Sequence, residues 1–439
     1  MSPAAYFAGH ALLPDGPAAG VTFEVAAGRF TAIRTGSRPP AGATRLSGVV
    51  LPGLANAHSH AFHRALRGRT HRGGGTFWTW REGMYRVAAA LDPDSYLALA
   101  QATYAEMALA GITTVGEFHY LHHAPGGRRY ADPNAMGAAL IQAAAEAGIR
   151  LTLLDTCYLA GGLGPPGHLE LGPEQLRFTD GDADGWAARV ARLADAESVR
   201  IGAAVHSVRA VPRAALPVVA AAAHGRPLHV HLSEQPAENQ AALAFYGRTP
   251  TELLDEAGVL GPLTSAVHAT HLTASDIAAL GRTGTTCCLC PTTERDLADG
   301  IGPARALLDA GAPLSLGSDQ HAVIDLIEEA RALEMHERLA TLHRGRFSPE
   351  QLLTAATRHD SLGWTDAGSL AVGGRADLVA VRTDTARTAG ADPAQILLAA
   401  TAADVDTVVV DGQPVVTGGR HRLGDVGALL GAAIEPLWR

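Results

Sequence analysis

Lysine is absent from the chain, so all 35 of its basic residues are arginine. The absence excludes a Schiff-base lysine, a P-loop lysine and a carboxylated lysine bridging two metal ions. Any fixed cation must be a guanidinium, which is planar, permanently charged and able to grip a carboxylate through two parallel hydrogen bonds. Cysteine is scarce: Cys157, Cys287, Cys288 and Cys290 are the whole complement. Adjacent cysteines rarely bridge, so a reducing compartment is expected, and the tight Cys287-Cys288-x-Cys290 spacing suits buried thiols on a strand better than a tetrahedral zinc site. No apolar run reaches the ~18 residues that span a bilayer, and Met1-Ser2-Pro3-Ala4-Ala5-Tyr6 lacks the charged and apolar regions of a secretory signal. A cytoplasmic protein with no membrane partner is therefore expected. A basic stripe is also missing, since 44 acidic residues outweigh scattered arginines to leave a net charge of -9, which argues against a nucleic-acid partner.

What is present begins with 439 residues that are 47% hydrophobic, enough for a large core despite only 5% aromatic content. From about residue 45 to 320, short apolar or β-branched runs alternate with alanine-rich helical stretches, the mark of a parallel α/β fold. Eight such runs are legible: Val49-Val50-Leu51 leading to His58, Ile112 to Phe118, Ile149 to Cys157, Val199 to His206, Pro227 to Leu232, Ser265 to His271, Thr285 to Leu289, and Pro313 to Leu316. Between the first two, Asp92-Pro93 signals a helix start, and Leu97, Ala100, Tyr104 and Met107 recur at near-helical spacing over Ser95 to Leu109. Eight strands alternating with helices predict a (β/α)8 TIM barrel over residues 49–369. Alternating runs such as Val21-Thr22-Phe23-Glu24-Val25 and Thr407-Val408-Val409-Val410-Asp411-Gly412 predict a small β-sandwich domain built from both termini, residues 1–48 and 370–439.

His58-Ser59-His60 falls at the end of the first barrel strand, where residues i and i+2 point to the same face and both imidazoles can converge on one ion. Three further strand ends carry matching chemistry: His229-Val230-His231-Leu232-Ser233-Glu234, Val267-His268-Ala269-Thr270-His271, and Leu316-Gly317-Ser318-Asp319-Gln320-His321. Catalytic groups of this architecture sit at the C-terminal ends of strands. Several neutral imidazoles and one carboxylate around a divalent metal, with one position left to water, make a hydrolytic site, and His58, His60, His231 and Asp319 are the expected ligands.

The order HxH, HxHxxE, lone His, Ser-Asp resembles the amidohydrolase superfamily, specifically its mononuclear aminohydrolase branch, which needs no ligand lysine. Four blocks sharpen the likeness: Trp78-Thr79-Trp80-Arg81-Glu82-Gly83-Met84-Tyr85, Glu117-Phe118-His119-Tyr120-Leu121-His122-His123, Val205-His206-Ser207-Val208-Arg209-Ala210 and Cys290-Pro291-Thr292-Thr293-Glu294. Together they resemble the deiminases of histidine degradation that act on N-formimino-L-glutamate. The resemblance implies one Zn2+ per chain, with other first-row divalent metals as alternatives, and a small-molecule dicarboxylate substrate; a homodimer is the expected assembly. It implies that Asp319 takes a proton from water, that Glu234 passes it to the departing nitrogen, and that His268, with His271 as a nearby competitor, steadies the developing charge. It further implies that Arg81 and Arg209, assisted by Tyr120 and His206, hold the substrate carboxylates. His63 stands where those deiminases often carry glutamine. A histidine there is able to donate a hydrogen bond to a carboxylate or to stand as a third imidazole near the metal. Trp78 and Trp80 are expected to line or cap the pocket, and His122 and His123 to be loop residues. A purine-type or other amidine aminohydrolase is the rival within enzymes, and a non-catalytic barrel scaffold the rival outside them.

Overall fold

The computed structural model describes residues 4–71, 74, 75 and 77–439, leaving the side chains of Phe77 and Trp78 outside the description. The pocket-lining role expected for Trp78 therefore lies outside the described residues. The chain opens with strands β1 (Ala4–Leu13), β2 (Gly16–Ala26), β3 (Arg29–Arg34) and β4 (Thr44–Pro52), then enters a barrel of β5 (Leu54–Ser59), β6 (Ile112–His119) and β7 (Arg150–Cys157). A short hairpin, β8 (Gly162–Gly164) and β9 (Gly167–Leu169), follows. The barrel then resumes with β10 (Val199–Val205), β11 (Leu228–Leu232), β12 (Thr264–His268), β13 (Thr286–Leu289) and β14 (Leu314–Leu316). Strands β15 (Leu378–Val381), β16 (Val405–Val410), β17 (Gln413–Thr417) and β18 (Arg420–His421) complete the first sheet, whose order is β18-β17-β16-β15-β4-β1-β2-β3. That terminal sheet is antiparallel except where β1 runs parallel to β4. The barrel strands are parallel throughout, in the order β5-β6-β7-β10-β11-β12-β13-β14.

Seven of the eight expected runs become barrel strands to within two residues at most boundaries. The first divides. Val49, Val50 and Leu51 belong to β4, where Val50 pairs with Ala11 on one side and Ala380 on the other. The chain crosses into the barrel at Gly53, where a Cβ would lie 2.2 Å from Thr113 Oγ1 and 2.9 Å from Asp377 Cβ. Only glycine permits that approach. The helix expected after Asp92-Pro93 spans Pro93–Leu109, and its start is capped twice: the Ser95 amide donates to Asp92 Oδ1 at 2.8 Å and the Asp92 amide donates to Ser95 Oγ at 2.9 Å. It buries Tyr96, Leu99, Ala100, Tyr104 and Met107. All four cysteines are buried and free.

No β14–β5 ladder closes the barrel. Closure is made just beyond β14, by a bridge between Ser59 and Asp319: the Asp319 amide donates to the His58 carbonyl at 3.0 Å and the His60 amide donates to the Asp319 carbonyl at 3.2 Å. At the opposite end, the fully buried Arg150 of β7 donates to Asp377 and Asp411, tying the barrel to the terminal sheet. Trp364 is surrounded there by the guanidinium groups of Arg200, Arg375 and Arg150, at 4.1, 4.9 and 5.4 Å from its ring centroid. No described helix is long and apolar enough to cross a membrane.

Asp404, in the turn before β16, is buried and accepts hydrogen bonds from Thr385 Oγ1, Arg387 and the Thr401 amide at 2.8 to 3.1 Å. Burial would raise its carboxyl, but these donors hold it down at about 2. A depressed carboxyl contributes stability that is full above its unfolded pKa and is lost as pH falls through the folded value. Replacing Asp404 by Asn should therefore cost about 1–2 kcal/mol near pH 6, with the deficit narrowing as pH falls toward about 3. Denaturant titrations of both proteins at the two pH values measure it, and a pH-independent deficit would refute the assignment.

Candidate metal centre

The expected ligands meet at the C-terminal mouth of the barrel. His58 and His60, on and just after β5, have ring centroids 4.8 Å apart, and His231 of β11 lies 4.9 Å from His58 and 5.5 Å from His60. Asp319 Oδ1 sits 3.2 Å from His58 Nε2 and 3.3 Å from His60 Nε2. His58 Nε2 and His231 Nε2 are 3.1 Å apart. Two carbonyls fix the rings. His60 Nδ1 donates to Phe118 O at 3.0 Å and His231 Nδ1 donates to His206 O at 2.9 Å, which leaves both Nε2 lone pairs pointing inward. Burial lowers His58 to about 3 and His60 to about 4, so both are neutral at physiological pH. Burial would raise Asp319, but the hydrogen bond and charge of His58, with His268 and His60, hold it far below the usual carboxylate range. Lone pairs of neutral imidazoles and a carboxylate thus converge on one point, an arrangement that repels itself without a cation. The donor set fits a divalent metal.

Behind the ligands runs a single chain of hydrogen bonds. Asn56 Nδ2 donates to Ser318 Oγ (2.7 Å), Ser318 Oγ to His321 Nδ1 (2.9 Å), His321 Nε2 to Ser59 Oγ (3.2 Å), and Ser59 Oγ to Glu117 Oε2 (2.6 Å). Each donor finds one acceptor, so the direction of the chain sets the tautomer of His321. Burial pushes the Glu117 carboxyl up to about 7, while Ser59 and the Ala61 amide pull it back. Glu117 and His321 stand inside the strand-end motifs and Asn56 two residues before one, but none had a legible role, because their partners come from three different strand ends.

His268 lies 3.8 Å from Glu234 Oε1, 3.9 Å from Asp319 Oδ2 and 3.6 Å from Glu294 Oε1. Burial would lower it, but Glu234, Glu294 and Asp319 raise it to about 10, and it stands in one compact donor group with His58, His231 and Asp319. Its competitor His271 instead has Nε2 on the Asp299 carbonyl at 2.7 Å. Glu234, His268, Arg81, Tyr120, His206, Arg209 and His63 all line one cavity of about 500 Å³ with the expected ligands His60, His231 and Asp319. Arg81 Nε donates to Tyr85 Oη at 2.9 Å. His63 Nε2 is 3.0 Å from Tyr120 Oη and its ring stands 4.5 Å from that of His60. Trp80 lines the cavity as expected.

The helix Phe77–Ala90 that carries Trp80 and Arg81 is clamped by the buried Arg177, which donates to the carbonyls of Ala88, Leu91 and His123. His122 and His123 lie in the loop after β6, as expected, and are buried there with His122 Nε2 on Thr156 O (2.8 Å) and His123 Nε2 on Asp180 (3.0 Å). His119, His122 and Asp155 form a second compact cluster. There Asp155 is already committed to both arms of Arg189 and to Trp186 Nε1, at 2.7 to 3.0 Å. That cluster is a structural network.

Residues 49–415 match the amidohydrolase family, and the chain belongs to it. Within that family the likeness narrows: residues 4–47 match the N-terminal domain of formimidoylglutamate deiminase HutF. The chain is 39% identical over 437 residues to a formimidoylglutamate deiminase of Pseudomonas aeruginosa, covering 95% of each. It is also 34% identical to an 8-oxoguanine deaminase of the same organism, over 87% of this chain and 85% of that one. Among solved structures, an amidohydrolase from Brucella melitensis superposes with a TM-score of 0.92 at 32% identity, covering 99% of this chain and 100% of the other. A zinc-bound adenosine deaminase from Xanthomonas campestris shares the fold, with a TM-score of 0.83 at 23% identity, over 98% and 96% of the chains.

Metal added to the metal-stripped protein should raise Tm, because the ion binds only the folded site. His231→Ala should abolish that rise and leave less than about one-tenth of the wild-type metal content. Plasma emission analysis and differential scanning fluorimetry provide the measurements; stoichiometric metal in the variant would remove His231 from the ligand set.

Proposed function

We propose that the protein hydrolyses N-formimino-L-glutamate to N-formyl-L-glutamate and ammonia, with one zinc ion per chain, as a step of histidine degradation. The observation that carries the proposal is one cavity combining an acceptor-only metal cradle with two arginines, Arg81 and Arg209, in a chain 39% identical to a formimidoylglutamate deiminase. A divalent metal at the cradle supplies Lewis acidity and brings the pKa of a bound water toward ~7.

The chain's own groups do the rest. Water adds to the formimino carbon, the bond from that carbon to the terminal nitrogen breaks, and the nitrogen leaves as ammonia. Asp319 accepts the water proton, and Glu234, within 3.8 Å of His268, carries a proton to the leaving nitrogen. His268 is placed to donate a hydrogen bond to the oxygen that gains negative charge in the tetrahedral intermediate. Arg209 and Arg81 receive the two carboxylates, and Tyr120 with His63 forms the adjoining wall.

A purine aminohydrolase is the second reading, favoured by the 34% identity to an 8-oxoguanine deaminase. Two guanidinium groups lining the cavity suit a dicarboxylate better than a flat neutral heterocycle.

Ammonia release by the metal-loaded protein should be fast on formiminoglutamate and absent on guanine and adenosine; the reverse pattern would overturn the proposal. Arg209→Met should lower kcat/KM for formiminoglutamate by about a hundredfold, mostly through KM, as loss of a charged carboxylate contact demands. An unchanged kcat/KM removes Arg209 from substrate binding.

A further inference from the structure

One charged residue in the cavity has no part in the reaction as described. Glu238, in the first turn of the helix Pro236–Tyr246, lines the cavity beside Glu234 and Arg209, yet its side chain is only 1% exposed. Among the described residues neither of its carboxylate oxygens has a hydrogen-bond partner. A buried, unbonded carboxylate is costly and persists only where a charge nearby compensates it. Arg209 is that charge. Its Nε lies 3.7 Å from Glu238 Oε2 and its Nη2 lies 3.7 Å from Glu234 Oε2. Both separations are longer than a hydrogen bond, so the guanidinium is held by charge on two sides and committed to neither carboxylate. Arg209 is 28% exposed while its Nε is buried, which puts the exposure on the rest of the side chain and leaves the outer nitrogens as the face turned to the cavity. Burial pushes the Glu238 carboxyl up to about 7, and Arg209 draws it back.

We propose that Glu238 is a positioning residue: its buried carboxylate holds Arg209 by the Nε edge, keeping the outer fork free for a substrate carboxylate and keeping Arg209 from closing to hydrogen-bond distance on Glu234. The inference rests on the deiminase reading and deepens it by naming what sets the carboxylate grip. Without the charge on Glu238, the single remaining carboxylate in ion-pair range of Arg209 among the described residues is Glu234. The guanidinium then closes to hydrogen-bond distance on it, so the substrate carboxylate loses its fork and the proton carrier is held in a direct hydrogen bond. A residue serving only to fill space would produce neither effect, because glutamine has nearly the same shape.

The test compares wild type, Glu238→Gln and Glu238→Asp as metal-loaded full-length proteins on two substrates: N-formimino-L-glutamate and N-propylformamidine, which carries the same reacting carbon without carboxylates. The ratio of kcat/KM between them should fall about tenfold or more in Glu238→Gln and recover in part in Glu238→Asp, which keeps the charge. Calorimetric binding of N-formyl-L-glutamate should weaken by a similar factor of about ten in Glu238→Gln. An unchanged ratio, or an equal loss on both substrates, overturns the inference. Wild-type protein inert on formiminoglutamate overturns the deiminase reading and this inference together, whereas wild-type turnover with an unaltered ratio overturns this inference alone.

Discussion

The site depends on how the barrel closes. A parallel eight-stranded barrel must join its first strand to its last, and here the join is made by backbone hydrogen bonds between His58, His60 and Asp319. The residues that close the barrel are the residues whose side chains converge at its mouth. Behind them the run from Asn56 through Ser318, His321 and Ser59 to Glu117 fills the seam with polar groups, each satisfied by the next. The backbone is strained where it matters: Ser233, His268, Ala269, Asp319 and His321 all adopt positive φ between 42° and 69°. Such conformations cost of order 1 kcal/mol or more each and survive only when the surroundings over-determine them.

Arginine carries every fixed positive charge, and its fork geometry is used for three different purposes. Arg150 bridges β7 to Asp377 and Asp411 and so fixes the terminal sheet on the barrel. Arg177, buried, gathers three carbonyls and thereby anchors the helix that forms one wall of the cavity. Arg209 is left unspent between two carboxylates, the only one of the three placed to meet a ligand. A lysine could not replace the first two, since one ammonium cannot present a planar set of donors to partners on separate segments.

Much of this was legible. The eight apolar runs, the Asp92-Pro93 helix start and the strand-end histidines each depend on local periodicity or on residue type, which a linear chain displays. The split of the first run at Gly53 was less so, because the constraint is a clash with Thr113 and Asp377, residues distant in the chain. The burial of the loop residues His122 and His123 was not legible, since nothing nearby in sequence shows that Thr156 and Asp180 bind them. Glu238 attracted no notice for a similar reason: a glutamate early in a helix is ordinarily exposed, and only its packing beside Arg209 makes it unusual.

The sequence by itself therefore determined the barrel, the imidazole and carboxylate groups at its strand ends and the exclusive use of guanidinium, because hydrophobic period, side-chain type and the lack of lysine are properties of the chain. Tertiary structure alone decided which histidines meet the carboxylate, which arginine stays available to a ligand and which buried acid holds it there. Those outcomes rest on distances between residues far apart in sequence, and on the loss of water that turns a weak surface attraction into a strong interior one.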